Sequence, residues 1–405
     1  MTHDTNIPQG YKATALGIIP QEWEVMRLGD IVSITSGESP SLYHLKAEGK
    51  YPYVKVEDLN NCEKYQESSR EYSDDNNTTI KAGSIIFPKR GASILNNKVR
   101  IAAKDIQMDS NMMAITPHTT IVDTEFLYIR ILHERLYRIA DTSSIPQINN
   151  KHIIPYKIAV PPLAEQRKIA EVLGVWDEAI EKQARLIEKL ALRKRGLMQR
   201  LLSAKLRLPG FSDPWQKVKF CELFTKSIKT ADPLTKYEVL SVTKEGIVAQ
   251  KSYFNKDIAS EDTSKYIVVE RGDLAMSGLN FWMGSCHILT NFNEGIISPA
   301  YKVFKVTEHN NINFIRDFVR SSMFLQALQG CSVIGASIVR RNLDKEMLYE
   351  WTFKIPSLKE QTAIAKVLTA ADREIELAKE KHERLRHQKR GLMQQLLTGK
   401  KRVKY

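Results

Sequence analysis

Residues Lys194 to Lys205 read KRGLMQRLLSAK, and Lys389 to Lys400 read KRGLMQQLLTGK, nearly the same line 195 positions later. The repetition is longer than that line. At the same offset PPLAEQRKIAEVLGVWDEAIEK from Pro161 meets PSLKEQTAIAKVLTAADREIEL from Pro356 without a gap, and roughly half of the positions from Pro161 to Arg207 are identical. Fainter matches lie upstream. SSIPQIN, ending at Asn149, parallels ASIVRRN, ending at Asn342, and EWEVMRLGDI around Trp23 parallels PWQKVKFCEL around Trp215. Solenoid repeats run to ~20–50 residues, so a period this long marks a duplicated domain. The chain is a tandem of two variable blocks, each followed by a repeated segment, with boundaries expected at 1–160, 161–207, 208–355 and 356–405.

The repeated segment has helical spacing. Ile169, Leu173, Trp176, Ile180, Gln183, Ile187, Leu190, Lys194, Leu197 and Leu201 alternate in steps of four and three, the stripe of a helix meeting a partner helix. The second copy repeats it as Ile364, Leu368, Ala371, Ile375, Ala378, His382, Leu385, Lys389, Leu392 and Leu396. Each helix is expected to run about 38 residues, hence about 57 Å. Pro161, Pro162 and Pro356 suit a helix start, and Gly399 suits a stop. Gly196 and Gly391 sit inside the pattern, where glycine costs ~1 kcal/mol relative to alanine; their retention in both copies points to close backbone approach or a bend.

Charge sets the direction of pairing. No Asp or Glu occurs from Lys189 to Ser212 or from Arg384 to Tyr405, so each helix ends strongly basic and carries its acids early. Parallel packing stacks basic end on basic end. Antiparallel packing sets basic against acidic and aligns the helix dipoles favourably, and two similar units in closed contact favour a two-fold relation. The expected architecture is α+β: two similar globular domains with small mixed sheets, separated by an antiparallel pair of long helices and related by a pseudo-two-fold. The alternative is that the long helices pack only on their own domains. Lys194 and Lys389 fall on the seam, where they either snorkel to solvent or meet a partner subunit or a phosphate. His382 reads as a polar register marker. The surface near AEQRK and KEQTA is the first candidate for a partner's dock.

The net charge is +13 with a pI near 9.3, which favours an anionic partner. Twelve of those thirteen charges belong to the two repeated segments, so polyanion binding by the nearly neutral blocks needs local basic patches. Cys62, Cys221, Cys286 and Cys331 form no CxxC pair, which argues against a zinc ribbon and for a reducing compartment. There is no apolar run of ~18 residues and no signal-like start. A cytoplasmic location without a membrane partner is expected.

Within the blocks, short apolar runs alternate with turn residues. YPYVKVEDL, GSIIFPKRG, NMMAITP, YKIAVP, EVLSVT, YIVVERGDLAMS and YKVFKVT read as strands, and helices are expected over Thr124 to Ala140 and Asn313 to Leu328. Arginine reads guanine, and asparagine or glutamine reads adenine, through paired hydrogen bonds, whereas lysine mostly meets phosphate. By those rules the first block offers Lys89, Arg90, Asn96, Asn97, Lys98 and Arg100, with Ser144, Gln147, Asn149, Asn150 and Lys151. The second offers Ser277, Asn280 and Trp282 at the matching strand-to-loop position, then Ser337, Arg340, Arg341 and Asn342; Trp282 also suits a core.

Catalytic signatures are missing. There is no GxxxxGK[ST] loop, no strand-linked GxGxxG and no metal cluster, and VPPL carries Val160 where an amino-methyltransferase tetrad needs a polar residue. The order of variable block, PPLAEQ, long helix, KRGLMQRLLS, variable block, IPSLKEQ, long helix and KRGLMQQLLTGK resembles the specificity subunit of type I restriction-modification systems over essentially the whole chain. That resemblance implies two target recognition domains, each reading half of a bipartite asymmetric DNA sequence. It further implies helices that set the gap and dock two methyltransferase subunits, to which motor-nuclease subunits are added. S-adenosylmethionine, ATP and magnesium then belong to those partners, and this chain is non-catalytic and binds no cofactor. A rod of that length spans one to one and a half turns of B-DNA at ~34 Å each. Two other readings explain less. A coiled-coil adaptor joining two identical protein ligands leaves the divergence of the blocks unmotivated, and a self-sufficient nuclease or methyltransferase lacks its motifs.

Overall fold

The computed structural model describes residues 7–141, 145–232, 234–254, 262–337 and 340–404, with only the backbone described at 334–337 and 340. The chain forms two compact units: residues 1–183 with 381–405, and residues 184–380. The division falls inside both long helices, Leu163–Leu201 of 39 residues and Leu358–Leu397 of 40. Each unit is therefore one variable block plus the first part of one long helix and the last part of the other. Among the described residues no helix is long and apolar enough to cross a membrane.

In the first unit a five-stranded sheet has the order Val32–Ser36, Met112–Pro117, Ile85–Pro88, Arg100–Ala102, Tyr65–Gln66. Its pairs are antiparallel except the last, which is parallel. Side chains alternate across a strand, and here both faces are covered. Ile85, Phe87, Met113 and Ile115 enter one core with Phe126 and Leu127, while Ile86, Met112 and Ala114 enter a second with Val54 and Met108. Double burial explains why these strands read as continuous apolar runs. The helix expected over Thr124 to Ala140 is split: Thr124–Glu134, capped by the Asp123 carboxylate, ends at Arg135 with φ 64°, and Leu136–Ile139 follows.

The second unit has the sheet order Phe224–Lys226, Lys302–Val306, Leu274–Met276, Cys286–Ile288, antiparallel throughout. Its core is aromatic, with Phe220, Phe224, Phe304, Phe314, Phe318, Phe324 and Phe353 in one cluster. The helix expected over Asn313 to Leu328 is also split, into Ile312–Phe318 and Ser322–Gly330, because Ser321 turns the chain and caps the second piece through its hydroxyl.

The long helices carry the expected stripe. Ile169, Leu173, Leu201, Ile364, Leu368 and Leu396 are buried, and Trp176, Ile180, Ile187, Leu190, Leu197, Ile375, Leu385 and Leu392 are half-buried. Pairing is antiparallel within each unit. In the first, Glu165 of the first helix meets Arg402 beyond the end of the second, and twelve residues on, Asp177 meets Lys389, thirteen back. In the second unit Glu360 meets Arg207, and Asp372 meets Lys194. Lys194 and Lys389 are thus ion-paired inside the fold and neither snorkel nor wait for a phosphate, which corrects the sequence expectation.

A three-residue lock closes each unit. Arg402 grips Glu165 with Nε at 2.6 Å and Nη2 at 2.8 Å, and the Trp23 indole N–H donates to the same carboxylate at 2.9 Å. Arg207, Glu360 and Trp215 repeat this at 2.7, 2.9 and 3.1 Å. Both glutamates are buried. The adjacent glutamines are buried too: Gln166 donates to Ile121 O and Pro161 O and accepts from Asp123 N, and Gln361 donates to Asn310 Oδ1 and Pro356 O and accepts from Asn311 N. The Glu-Gln of AEQRK and KEQTA is therefore a tie between helix and domain, which takes those two residues of each copy out of the exposed surface. Close backbone approach does not explain the repeated glycines, since a Cβ at Gly196 or Gly391 meets nothing within 4 Å. Gly399 does stop its helix, at φ 71°, where a side chain would collide with Pro20.

Candidate functional site

The candidate readers of the first unit come from two stretches that are distant in sequence and adjacent in space. Beyond Ile85–Pro88 the chain continues extended, and Gly91 N donates to Pro146 O at 2.9 Å while Ile148 N donates to Lys89 O at 2.9 Å. Arg90 is thereby bridged to Gln147. The next residues, Asn149, Asn150 and Lys151, open the short helix Asn150–Ile153, where Asn149 N–H donates to His152 Nδ1 at 3.1 Å. Arg90, Asn96, Asn149, Asn150 and Lys151 are exposed, and Lys89, Lys98 and Gln147 are half-buried. Burial, and then the neighbouring Arg90, hold the Lys89 ammonium below the ordinary lysine range.

Two candidates have their polar groups occupied internally. Asn97, at φ 51°, bridges the split helix, with Nδ2 donating to Leu132 O and Oδ1 accepting from Leu136 N. The Arg100 guanidinium donates to Cys62 O, Val99 O and Leu59 O at 2.7–2.8 Å. Three of its five N–H donors are thus spent on backbone carbonyls of its own domain. Both carry structural hydrogen bonds inside their own domain. Ser144 lies outside the described residues.

The second unit repeats the convergence with different chemistry. Ser277 is buried, and its hydroxyl accepts from Asn280 N at 3.1 Å, shaping the turn and leaving Asn280 exposed. Gly278 is required there, because a side chain would collide with the Ala300 carbonyl. Trp282 packs partly against the core, as its aromatic character allowed. The Arg341 guanidinium stacks on it 4.5 Å from the ring centroid and donates from Nη1 to Ser332 Oγ at 3.0 Å. Arg341 and the exposed Asn342 belong to the hairpin Ser332–Ser337 and Arg340–Leu343. The side chains of Ser337 and Arg340 lie outside the described residues.

Sequence reasoning missed Lys302. It pairs with Met276 across the sheet, immediately beneath the Ser277 turn, and burial, then Lys345 and Lys226, push its ammonium down as Lys89 is pushed down. Only the strand register puts it there. The two Trp-Glu-Arg locks were also missed, although a signal existed: charged residues held identical at the 195 offset, each half opening on a tryptophan. The assembled clusters supply guanidinium, amide and ammonium donors of the kinds that meet base edges and phosphates. Among the described residues no group of three or more His, Cys, Asp or Glu could hold a metal ion.

Comparison with known proteins agrees with this layout. The family described as "Type I restriction modification DNA specificity domain" matches twice, over residues 20–191 and 212–387. The type I restriction enzyme MjaVIII specificity subunit of Methanocaldococcus jannaschii is 24% identical over 433 residues, covering 95% of this chain and 94% of its own. The putative MjaX specificity subunit of the same organism is 24% identical over 98% of this chain and 97% of its own. Among solved structures, a chain from work on complex assembly and conformational transition of the type I R-M system superposes with a TM-score of 0.61 at 16% identity, over 94% of this chain and 99% of that one. The S subunit from M. genitalium superposes at 0.51 and 15% identity, over 98% of both. At such identities these two likenesses speak for the fold.

Proposed function

The chain belongs to the type I restriction-modification DNA specificity family, twice over, and from that premise we propose that each domain reads one half of a bipartite, asymmetric duplex DNA target. The paired helices set the unread gap between the halves and carry two methyltransferase subunits, which motor-nuclease subunits join. Chemistry, with its S-adenosylmethionine, ATP and magnesium, belongs to those partners, and this chain contributes recognition alone.

One observation carries the reading. The copies agree where the helices lock, at Glu165 and Glu360, Asp177 and Asp372, Lys194 and Lys389, Arg207 and Arg402, and differ where the loops converge, with Arg90 beside Gln147 in one and Arg341 on Trp282 in the other. Like supports under unlike readers suit two different half-sites. An adaptor for two identical protein ligands gives no reason for the loops to diverge.

The test is a ruler experiment. Four residues, one helical turn of ~5.4 Å, are inserted after Ala184 and the methylated motif is mapped by sequencing. The gap is expected to lengthen by about one or two base pairs, at ~3.4 Å each, with both half-sites unchanged. Altered half-sites would refute the ruler, and methylation without any sequence preference would favour the adaptor.

A further inference from the structure

The second unit carries a strand pair that stands apart from its main sheet. Ser332–Ser337 and Arg340–Leu343 pair with each other and, among the described residues, with no other strand. Side chains alternate across such a ribbon, and its two faces are unlike. Ser332 and Leu343 are cross-strand partners and share the inner side with Arg341. Leu343 packs against the aromatic core, Arg341 lies on Trp282, and the Ser332 hydroxyl accepts from Arg341 Nη1 while donating to Gln329 O at 2.7 Å. Asp344 N donates to Cys331 O at 2.8 Å and closes the root. The outer side holds the next cross-strand pair, Val333 opposite Asn342. Both are exposed, Val333 at 55%, and the Asn342 amide has no partner among the described residues. An exposed branched hydrocarbon beside a free carboxamide stabilises nothing inside the fold.

The helix caps relate this pair to the first unit. Asn342 lies two residues before the cap Asp344, and Gln147, the amide bridged to Arg90, lies two residues before the cap Asn149. Each unit thus carries a carboxamide at the same structural place. The ribbon's root is basic. Lys345 opens the helix that follows it, and after burial it is Lys345 and then Lys226 that hold the Lys302 ammonium down, so the three lysines lie close together. None of the three has an ion-pair partner among the described residues.

We propose that the outer face of this ribbon enters the major groove of the second half-site, where Asn342 reads an adenine and Val333 meets the methyl group of a thymine. A two-stranded ribbon fits that groove, an amide side chain pairs with adenine N6 and N7, and thymine offers a methyl to an apolar side chain. Asn342 Oδ1 accepts from the adenine N6–H and its Nδ2–H donates to N7. Facing Cβ atoms on a ribbon lie ~4.5–5.5 Å apart, against a rise of ~3.4 Å per base pair, so the adenine and the thymine fall within one base step. Lys226, Lys302 and Lys345 meet the flanking phosphates, and Arg341 holds the ribbon to its domain from behind. The inference rests on the DNA reading proposed above and gives the second half-site two of its bases.

The experiment uses the full chain assembled with its methyltransferase subunits. The methylated motif is mapped for the wild type, and binding is then titrated on duplexes bearing that motif with single-group changes. In the second half, 7-deazaadenine in place of adenine costs about tenfold in affinity, and uracil in place of thymine, which deletes only the methyl, costs severalfold. Asn342→Ala shows no further loss with 7-deazaadenine, and Val333→Ala none with uracil, while both variants keep the first half-site and the melting temperature of the wild type. Additive losses, or an affinity that falls equally on all sequences, overturn the proposal, as does a mapped second half that lacks an A·T pair. A changed oligomeric state of either variant without DNA marks the ribbon as a strand-pairing edge and overturns it too. If the wild-type complex shows no preference at any position of the second half, the DNA reading itself falls, and the ribbon's role falls with it.

Discussion

The two units hold their long helices by the same device and surround it differently. In the first, Lys389 pairs with Asp177, whose side chain is 43% exposed, close to the phenol of Tyr128. In the second, Lys194 pairs with Asp372 and also lies 3.6 Å from Asp317, a fully buried carboxylate that Arg316 holds at 2.8 Å. Counted from the caps Asp123 and Asn311, Arg316 and Asp317 occupy the places of Tyr128 and Ile129. A phenol and an aliphatic side chain, with the half-buried Lys64–Glu125 pair beside them, have become an arginine and a fully buried aspartate in the second copy. Asp317 Oδ1 has no hydrogen-bond partner, so its compensation depends on the nearby lysine. The difference teaches that a repeated contact can be a modest surface pair in one place and a desolvated network in another.

The comparison can be broken most severely by exchanging residues 1–160 for another variable block. One half-site should be replaced completely and the other kept, read by mapping the methylated motif. A change in both halves would mean the units do not read independently. Next in size, Lys194→Ala should destabilise the second unit by about 3 kcal/mol, because it strips a buried carboxylate of a partner. Lys389→Ala should cost the first unit under about 1 kcal/mol, as expected for a partly exposed pair. Hydrogen exchange measured separately in each unit distinguishes them, and equal losses would erase the contrast.

Smaller effects should come from the readers. Arg90→Ala with Gln147→Ala should cost about 1–3 kcal/mol at the first half-site and relax only its sequence. Arg341→Ala should do the same at the second, as binding to duplexes altered in one half reports. Smallest is a pH effect common to both units. Lys89 and Lys302 have lowered pKa values, so each sheds its positive charge at a lower pH than an ordinary lysine. DNA affinity should therefore fall earlier on the alkaline side than in the Lys89→Arg, Lys302→Arg variant, and matching profiles would remove both lysines from the interface.

The sequence by itself determined the duplication, the strands, the two helices near 39 residues and the face on which they meet. Periodicity and charge order are local properties, repeated along tens of residues, and they read the same in any surroundings. It did not reveal that Asn97 and Arg100 hold backbone groups of their own domain, that the helices after Asp123 and Asn311 break, or that Glu165 and Gln166 face inward. Those outcomes depend on neighbours far away in the chain: Leu132 for Asn97, Leu59 for Arg100, Arg402 for Glu165. A polar side chain's free valences are fixed by whatever packs against it, so only the tertiary structure decided which donors stay open to a ligand.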